Sequence, residues 1–257
     1  MTSKTLSVVI PAFNEGRTLA AITERVLPIP HLFEIIIVND GSSDDTANIA
    51  ERLVAANSQR IRVIHHHRNQ GKTAALRSGF EASRGDIVIV QDADLEYDPA
   101  EIADVIQPIL DGVADVVYGS RFLVRKTAGA LGHHRFANKA LTLVSNLFTN
   151  GNLTDVETGY KAFRGEIIRN MIISSSGFGF EIEATAKLAK LHCILREVPI
   201  SYSARTTEQG KKIGIIDGIV AFWYIFFYNV FTSSANSFRN VPLNFLHAPK
   251  KTRKAPC

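Results

Sequence analysis

The sequence predicts an α/β protein built on a mostly parallel sheet, and three observations carry that prediction. Short apolar runs alternate with stretches of helical length, the rhythm of strands joined by right-handed crossover helices. The runs are nearly unbroken rather than alternating, as strands covered on both faces require. Two of them end abruptly in acids, Asp40 after one and Asp92 with Asp94 after another. In an open α/β sheet such strand ends share one edge, and ligands bind there.

The elements follow in order. Residues 6–10 form the first strand, halted at Pro11, and 12–16 a polar loop. Residues 18–26 read as a helix ended by Pro28 and Pro30. The second strand is 34–38, and a helix from about 44 to 57 begins with acids where the macrodipole favours them. A third strand (61–64) and a helix (72–83) repeat the unit. Residues 86–90 form the fourth strand. Its helix, 99–111, opens with Asp98 as N-cap, Pro99 in the first position and Glu101 closing a capping box. The fifth strand is 115–118. Beyond Ser120 come a loop with glycine and histidine (126–134), an amphipathic helix (135–149) and a turn with a β-like segment (155–164). A helix (181–190) and a strand (195–202) broken by Pro199 follow. No linker or repeat divides the chain, so 121–210 is expected to complete 1–120 in one domain.

Residues 213–231 are apolar almost all round, which a lone helix in water does not tolerate. The unbroken run, 219–228, is ten residues, about half of the ~20 that a spanning helix needs. Lys211 and Lys212 precede it and aromatics fill it, which suits a membrane interface. A buried core helix is the alternative. The chain is therefore read as a catalytic domain (1–210), an interfacial helix (211–235) and a basic tail (236–257) with Lys250, Lys251, Arg253 and Lys254. Lys and Arg number 29 against 25 acids. So mild an excess, concentrated late, argues against a nucleic-acid-binding domain. Two cysteines, Cys193 and Cys257, make no disulfide framework, and the first strand starts too early for a signal peptide. A reducing, cytosolic setting is expected.

Asp92 and Asp94 repel each other unless a cation neutralises them. Mg²⁺ typically takes one or two carboxylates together with phosphate oxygens. Solvated turn acids are the plainer alternative. Gly71-Lys72-Thr73 is not a P-loop, because His66 stands where the first glycine belongs. No G-x-G-x-x-G follows the first strand, which excludes the dinucleotide fingerprint. His65-His66-His67 cannot easily converge on one ion from a strand, and a structural or surface role is expected.

Pro11-Ala-Phe-Asn-Glu15, Asn39-Asp40-Gly-Ser-Ser-Asp44, Asn69-Gln-Gly-Lys72 and Gln91-Asp-Ala-Asp94 occur in that order. With them the chain resembles the family 2 glycosyltransferases of GT-A fold, a Rossmann-like sheet flanked by helices. Within them it resembles the polyprenyl-phosphate group, the dolichyl-phosphate mannose and glucose synthases. Gly119-Ser-Arg-Phe122, Asp155-x-x-Thr158-Gly-Tyr160 and Arg205 with Lys211-Lys212 extend the match over roughly 5–230.

The resemblance implies transfer of a hexose from UDP-glucose or GDP-mannose to a polyprenyl phosphate, with inversion and with Mg²⁺ or Mn²⁺. Pro11, Phe13, Glu15, Asp40, Asn69, Gly71, Lys72, Asp92 and Ala93 would hold the donor. Asp92, Asp94 and Glu96 would face the metal, Asp94 most directly. Arg121, Arg135, Arg205 and Lys211 would hold the acceptor phosphate, and Asp155 would act as base or organiser. Thr73 stands where the family usually has glycine, a departure in that loop's detail. The enzyme would sit on the cytosolic leaflet, with room for a membrane-protein partner or a second copy of itself. A related transferase with a non-lipid acceptor is the nearest rival, and a nucleotidyltransferase the next. The latter should carry a Gly-rich loop near residue 11, and none is there.

Overall fold

In the computed structural model the described residues are 4–123, 132–204, 215–240 and 245. The strands are β1 (Leu6–Ala12), β2 (Leu32–Asn39), β3 (Ile61–His65), β4 (Ile87–Val90), β5 (Val116–Ser120), β6 (Lys161–Arg164) and β7 (Leu195–Pro199). They form one sheet in the order β3-β2-β1-β4-β6-β5-β7. The β1–β2, β2–β3, β1–β4 and β5–β7 pairs are parallel; β6 runs antiparallel to both its neighbours. The α/β class and the mostly parallel sheet are as the sequence predicts.

Both faces of the sheet are covered, which explains the unbroken apolar runs. Val8, Ile10, Ile35, Ile37, Ile87 and Ile89 point to a core shared with α1 (Leu19–Val26), α2 (Thr46–Ala56) and α4 (Ile102–Leu110). The alternate residues Val9, Ile36, Val38, Val88 and Val90 face α3 (Lys72–Ala82), α6 (Gly165–Asn170) and α7 (Phe180–Leu188). Asp98 caps a short 3-10 turn, Pro99–Glu101, by accepting from the Ala100 N–H at 2.9 Å. Glu101 does not close the expected capping box on Asp98. Its carboxylate accepts from the Ser201 N–H at 2.9 Å instead and ties the chain beyond β7 to this turn. The strand expected to reach Tyr202 ends at Pro199; one more bond, from the Ile200 N–H to the Ser120 carbonyl at 3.1 Å, closes the pairing with β5, where β5 itself ends.

Two further helices, α5 (Gly132–Thr149) and α8 (Ile215–Val230), pack beside α7 around Leu141, Ile182, Ala221 and Ile225. A short α9 (Ser234–Ser237) leads to Phe238, which pairs with Met171.

Candidate active site

The C-terminal ends of β1, β2 and β4 open onto one cavity of about 470 Å³, within the range of small-molecule sites. Pro11, Phe13, Glu15, Asp40, Asn69, Gly71, Lys72, Asp92, Ala93, Asp94, Glu96 and Arg121 all line it. Residues far apart in the chain converge because adjacent parallel strands deliver their ends to the same edge.

Two loops shape the near side. Asn14 takes a left-handed conformation (φ 56°) and accepts from the Ser43 N–H at 2.9 Å, a backbone state asparagine tolerates. The Glu15 N–H donates to Thr46 Oγ1 at 2.9 Å, and the Gly16 N–H to Asp44 at 3.0 Å. Asp40 is buried, and its carboxylate accepts from the Gln70 and Gly71 N–H groups and meets His66 Nδ1 at 2.6 Å. Asp40 thus builds the loop that presents Lys72. Gly71 has φ 91°, and a Cβ there would lie 3.2 Å from the Gly177 backbone. His66 also reaches Ser78, and His65 bonds Asn39 and Glu51. These are the structural roles expected of the histidine run.

Lys72 opens α3. Its ammonium lies 2.9 Å from Asp92 and 3.2 Å from Glu181. Burial opposes its charge, but the two carboxylates outweigh it and hold Lys72 well above the ordinary lysine range. Asp94 accepts from the Glu96 N–H at 3.1 Å. Glu96 itself accepts from the Tyr202 hydroxyl at 2.8 Å. Gly159 stands where a Cβ would come within 2.6 Å of Asp92 Oδ2. Its N–H donates to the Tyr97 hydroxyl at 3.0 Å, and Tyr97 stacks on Tyr160.

The far wall carries Arg121. Asp155, fully buried, receives Arg121 Nε and Nη2 at 2.7 Å each, the Arg121 N–H at 3.1 Å and Asn138 at 3.0 Å. The guanidinium also lies over the Tyr202 ring at 5.1 Å. Arg135 is exposed, stacks over Phe122 at 5.5 Å and does not line the cavity. Arg205 and Lys211 lie outside the described residues.

Sequence reasoning missed Tyr97, Glu157, Glu181 and Tyr202, which also line the cavity. Glu181 and Glu183 read alike as acids in the first turn of a helix. Two residues apart on a helix they point in different directions, and only Glu181 reaches Lys72. Burial, and next the neighbouring Glu181, push the Glu157 carboxyl up to about 7.

Asp92 and Asp94 offer the hard oxygen donors that Mg²⁺ or Mn²⁺ accepts alongside a diphosphate. Among the described residues no three His, Cys, Asp or Glu side chains gather into a protein-only metal cage. The donor set fits a metal shared with a phosphorylated ligand.

Beside the cavity, α8 turns Ala221, Ile225 and Tyr228 inward and Ile219, Phe222, Trp223, Phe226 and Val230 outward. Trp223 is 57% exposed and Ile219 66%. Phe136, Leu143 and Leu147 of α5 are exposed as well, and Phe148 meets Phe226 edge to face. The exposed apolar residues of the two helices meet at that contact. Among the described residues no helix is long and apolar enough to cross a membrane.

The model of glycosyl transferase family 2 matches residues 7–172. The polyprenol monophosphomannose synthase of Mycolicibacterium smegmatis is 31% identical over 83% of this chain and 82% of its own length. The undecaprenyl-phosphate mannosyltransferase of Micrococcus luteus is 29% identical over 82% and 88%. A third relative, the undecaprenyl-phosphate 4-deoxy-4-formamido-L-arabinose transferase of Pseudomonas fluorescens, is 33% identical, and the chain spans 49% of it. Among solved structures, glucosyl-3-phosphoglycerate synthase from Mycobacterium tuberculosis, with Mn²⁺, uridine diphosphate and phosphoglyceric acid, superposes with a TM-score of 0.68. That match covers 90% of this chain and 80% of the other at 20% identity, which speaks to the fold.

Proposed function

The chain belongs to glycosyl transferase family 2, and from that premise we propose that it moves a hexose from a nucleotide sugar to a polyprenyl phosphate. One observation carries the reading. The Asp92–Asp94 pair, Lys72 and an arginine on the far wall share one cavity beside an exposed apolar surface. The first three suit a metal-bound diphosphate, the arginine suits a second phosphate, and the surface suits a lipid.

Pro11, Phe13 and Glu15 line the nucleoside end, with Asp40 and Asn69 shaping the loop beside it. Asp92, Asp94 and Glu96 face the metal position. Mg²⁺ or Mn²⁺, when bound, neutralises charge on the leaving diphosphate. Lys72 adds a fixed positive charge at the same end. Arg121, locked by Asp155, presents a planar guanidinium to the acceptor phosphate, with Arg205 and Lys211 as further contributors. A lipid monophosphate is already anionic, so its oxygen attacks the anomeric carbon without surrendering a proton to a base. The reaction then depends on positioning, and a single displacement inverts the anomeric centre. That chemistry suits Asp155 as organiser, because Arg121 and Asn138 already occupy its oxygens.

The apolar faces of α5 and α8 rest on the cytosolic side of a membrane, aided by the basic tail, since anionic lipids attract Lys and Arg. The test is sugar transfer from UDP-glucose and from GDP-mannose to a polyprenyl phosphate in detergent, with Mg²⁺, Mn²⁺ or EDTA, and Asp94→Ala as control. Metal-dependent lipid product, lost in the variant, is expected and names the donor. Nucleotide release only with a soluble acceptor would replace the lipid reading with a non-lipid one.

A further inference from the structure

Glu157 and Glu181 line the cavity and do nothing for the scaffold with one oxygen each. Glu157 Oε1 and Glu181 Oε2 are buried without a hydrogen-bond partner among the described residues. Neighbouring carboxylates behave otherwise. Glu183 is engaged by the Ser174 and Ser175 N–H groups and by Lys187, and Glu197 by the Thr154 and Asp155 N–H groups. A buried acceptor left open is costly, and in native proteins it asks for a ligand to complete it.

Position decides which ligand. The other oxygen of Glu181, Oε1, sits 3.2 Å from the Lys72 ammonium, which also meets Asp92 at 2.9 Å. Glu181 is therefore one lysine away from the diphosphate end. A phosphate cannot rest against two carboxylates, and the hard-cation position is already supplied by Asp92 and Asp94. What lies beyond the diphosphate in a nucleotide sugar is the sugar, whose hydroxyls donate hydrogen bonds. We propose that Glu157 and Glu181 form the subsite that reads the hydroxyls of the transferred hexose, and that they admit a neutral sugar while repelling a uronate. This rests on the nucleotide-sugar reading of the cavity. Glu157, pushed up to about 7 by burial and by Glu181, can meet a hydroxyl either as carboxylate or as acid. A site built to bond hydroxyls discriminates strongly, because an analogue lacking them leaves buried acceptors unpaired.

The experiment is calorimetric titration of the full chain with Mg²⁺ plus UDP, UDP-glucose, UDP-glucuronate, GDP or GDP-mannose. Wild type, Glu157→Gln and Glu181→Gln are compared, with melting temperatures as the fold check. The expected result is a rise of at least tenfold in Kd for the sugar nucleotide in each variant. Kd for the matching free diphosphate stays within twofold for Glu157→Gln, and the same or tighter for Glu181→Gln, where Lys72 is released. If uridine is the base, UDP-glucuronate binds wild type at least tenfold more weakly than UDP-glucose, and the gap narrows in the variants. Equal weakening of sugar nucleotide and free diphosphate would overturn the subsite, and so would variants indistinguishable from wild type. Loss of binding of Mg²⁺ alone would make it a cation site instead. A wild type that binds none of the nucleotides fails the donor reading itself, a result separable from these.

Discussion

Replacing Asp155 by asparagine tests whether this carboxylate organises Arg121 or acts on the reactants. The Asp155 side chain is fully buried and that of Arg121 is 13% exposed. Four hydrogen bonds end on the carboxylate, two of them a fork from the guanidinium at 2.7 Å. Asparagine keeps the shape but turns an NH₂ towards one arm of that fork and removes the counter-charge. Breaking a buried pair from one side costs about 3–5 kcal/mol, since the remaining charge is stranded. In a chain of this size each kcal/mol lowers the melting temperature by roughly 2–4 °C. A fall on the order of 6–20 °C in Asp155→Asn is therefore expected, read by differential scanning calorimetry. In transfer assays below the new melting point, KM for the polyprenyl phosphate should rise more than kcat falls, because in the proposed reading a loosened guanidinium would position the acceptor phosphate poorly. The acid limb of the pH–rate profile should stay where it is. A melting temperature within ~2 °C of wild type, with kcat down a hundredfold and that limb abolished, would make Asp155 a base and refute the argument.

Three other outcomes follow from the same geometry. Gly159→Ala puts a methyl group 2.6 Å from Asp92 Oδ2, so donor turnover should fall at least tenfold while the melting temperature moves little, since Asp92 can swing aside into the cavity. Trp223→Glu with Phe226→Glu places charges on the exposed face of α8; co-sedimentation with anionic vesicles should drop at least tenfold, with transfer in detergent retained. The raised Glu157 carboxyl, about 7 against 4.5, means that the folded chain holds this proton when the unfolded chain has lost it. Stability from this group is complete below about pH 4.5 and declines until about pH 7, by at most ~3 kcal/mol. Urea unfolding of Glu157→Gln should lack that decline.

Strands β1, β2, β4 and β5 were readable because they are covered on both faces, and such strands are written as unbroken apolar runs. β6 was not readable in detail. It enters the sheet antiparallel between β4 and β5, and it begins with Lys161, a residue that sequence patterning assigns to solvent. Lys161 is fully buried, donating to the Val156 carbonyl at 2.8 Å and lying 3.7 Å from the centre of the Tyr118 ring. Periodicity also left α8 open between interface and core. The structure divides it, with Ala221, Ile225 and Tyr228 packed inward and Trp223 outward, because an all-apolar helix shows no preferred face until its neighbours are in place. The site follows the same logic. Motifs named Asp40 and Asp155, but what each does depends on where its lone pairs point. Those directions are set by His66, 26 residues from Asp40, and by Arg121, 34 residues from Asp155. Glu157 and Glu181 carry no motif of their own. The proposed sugar subsite rests on them because, among the described residues, one oxygen of each has no hydrogen-bond donor at the edge where the strands end.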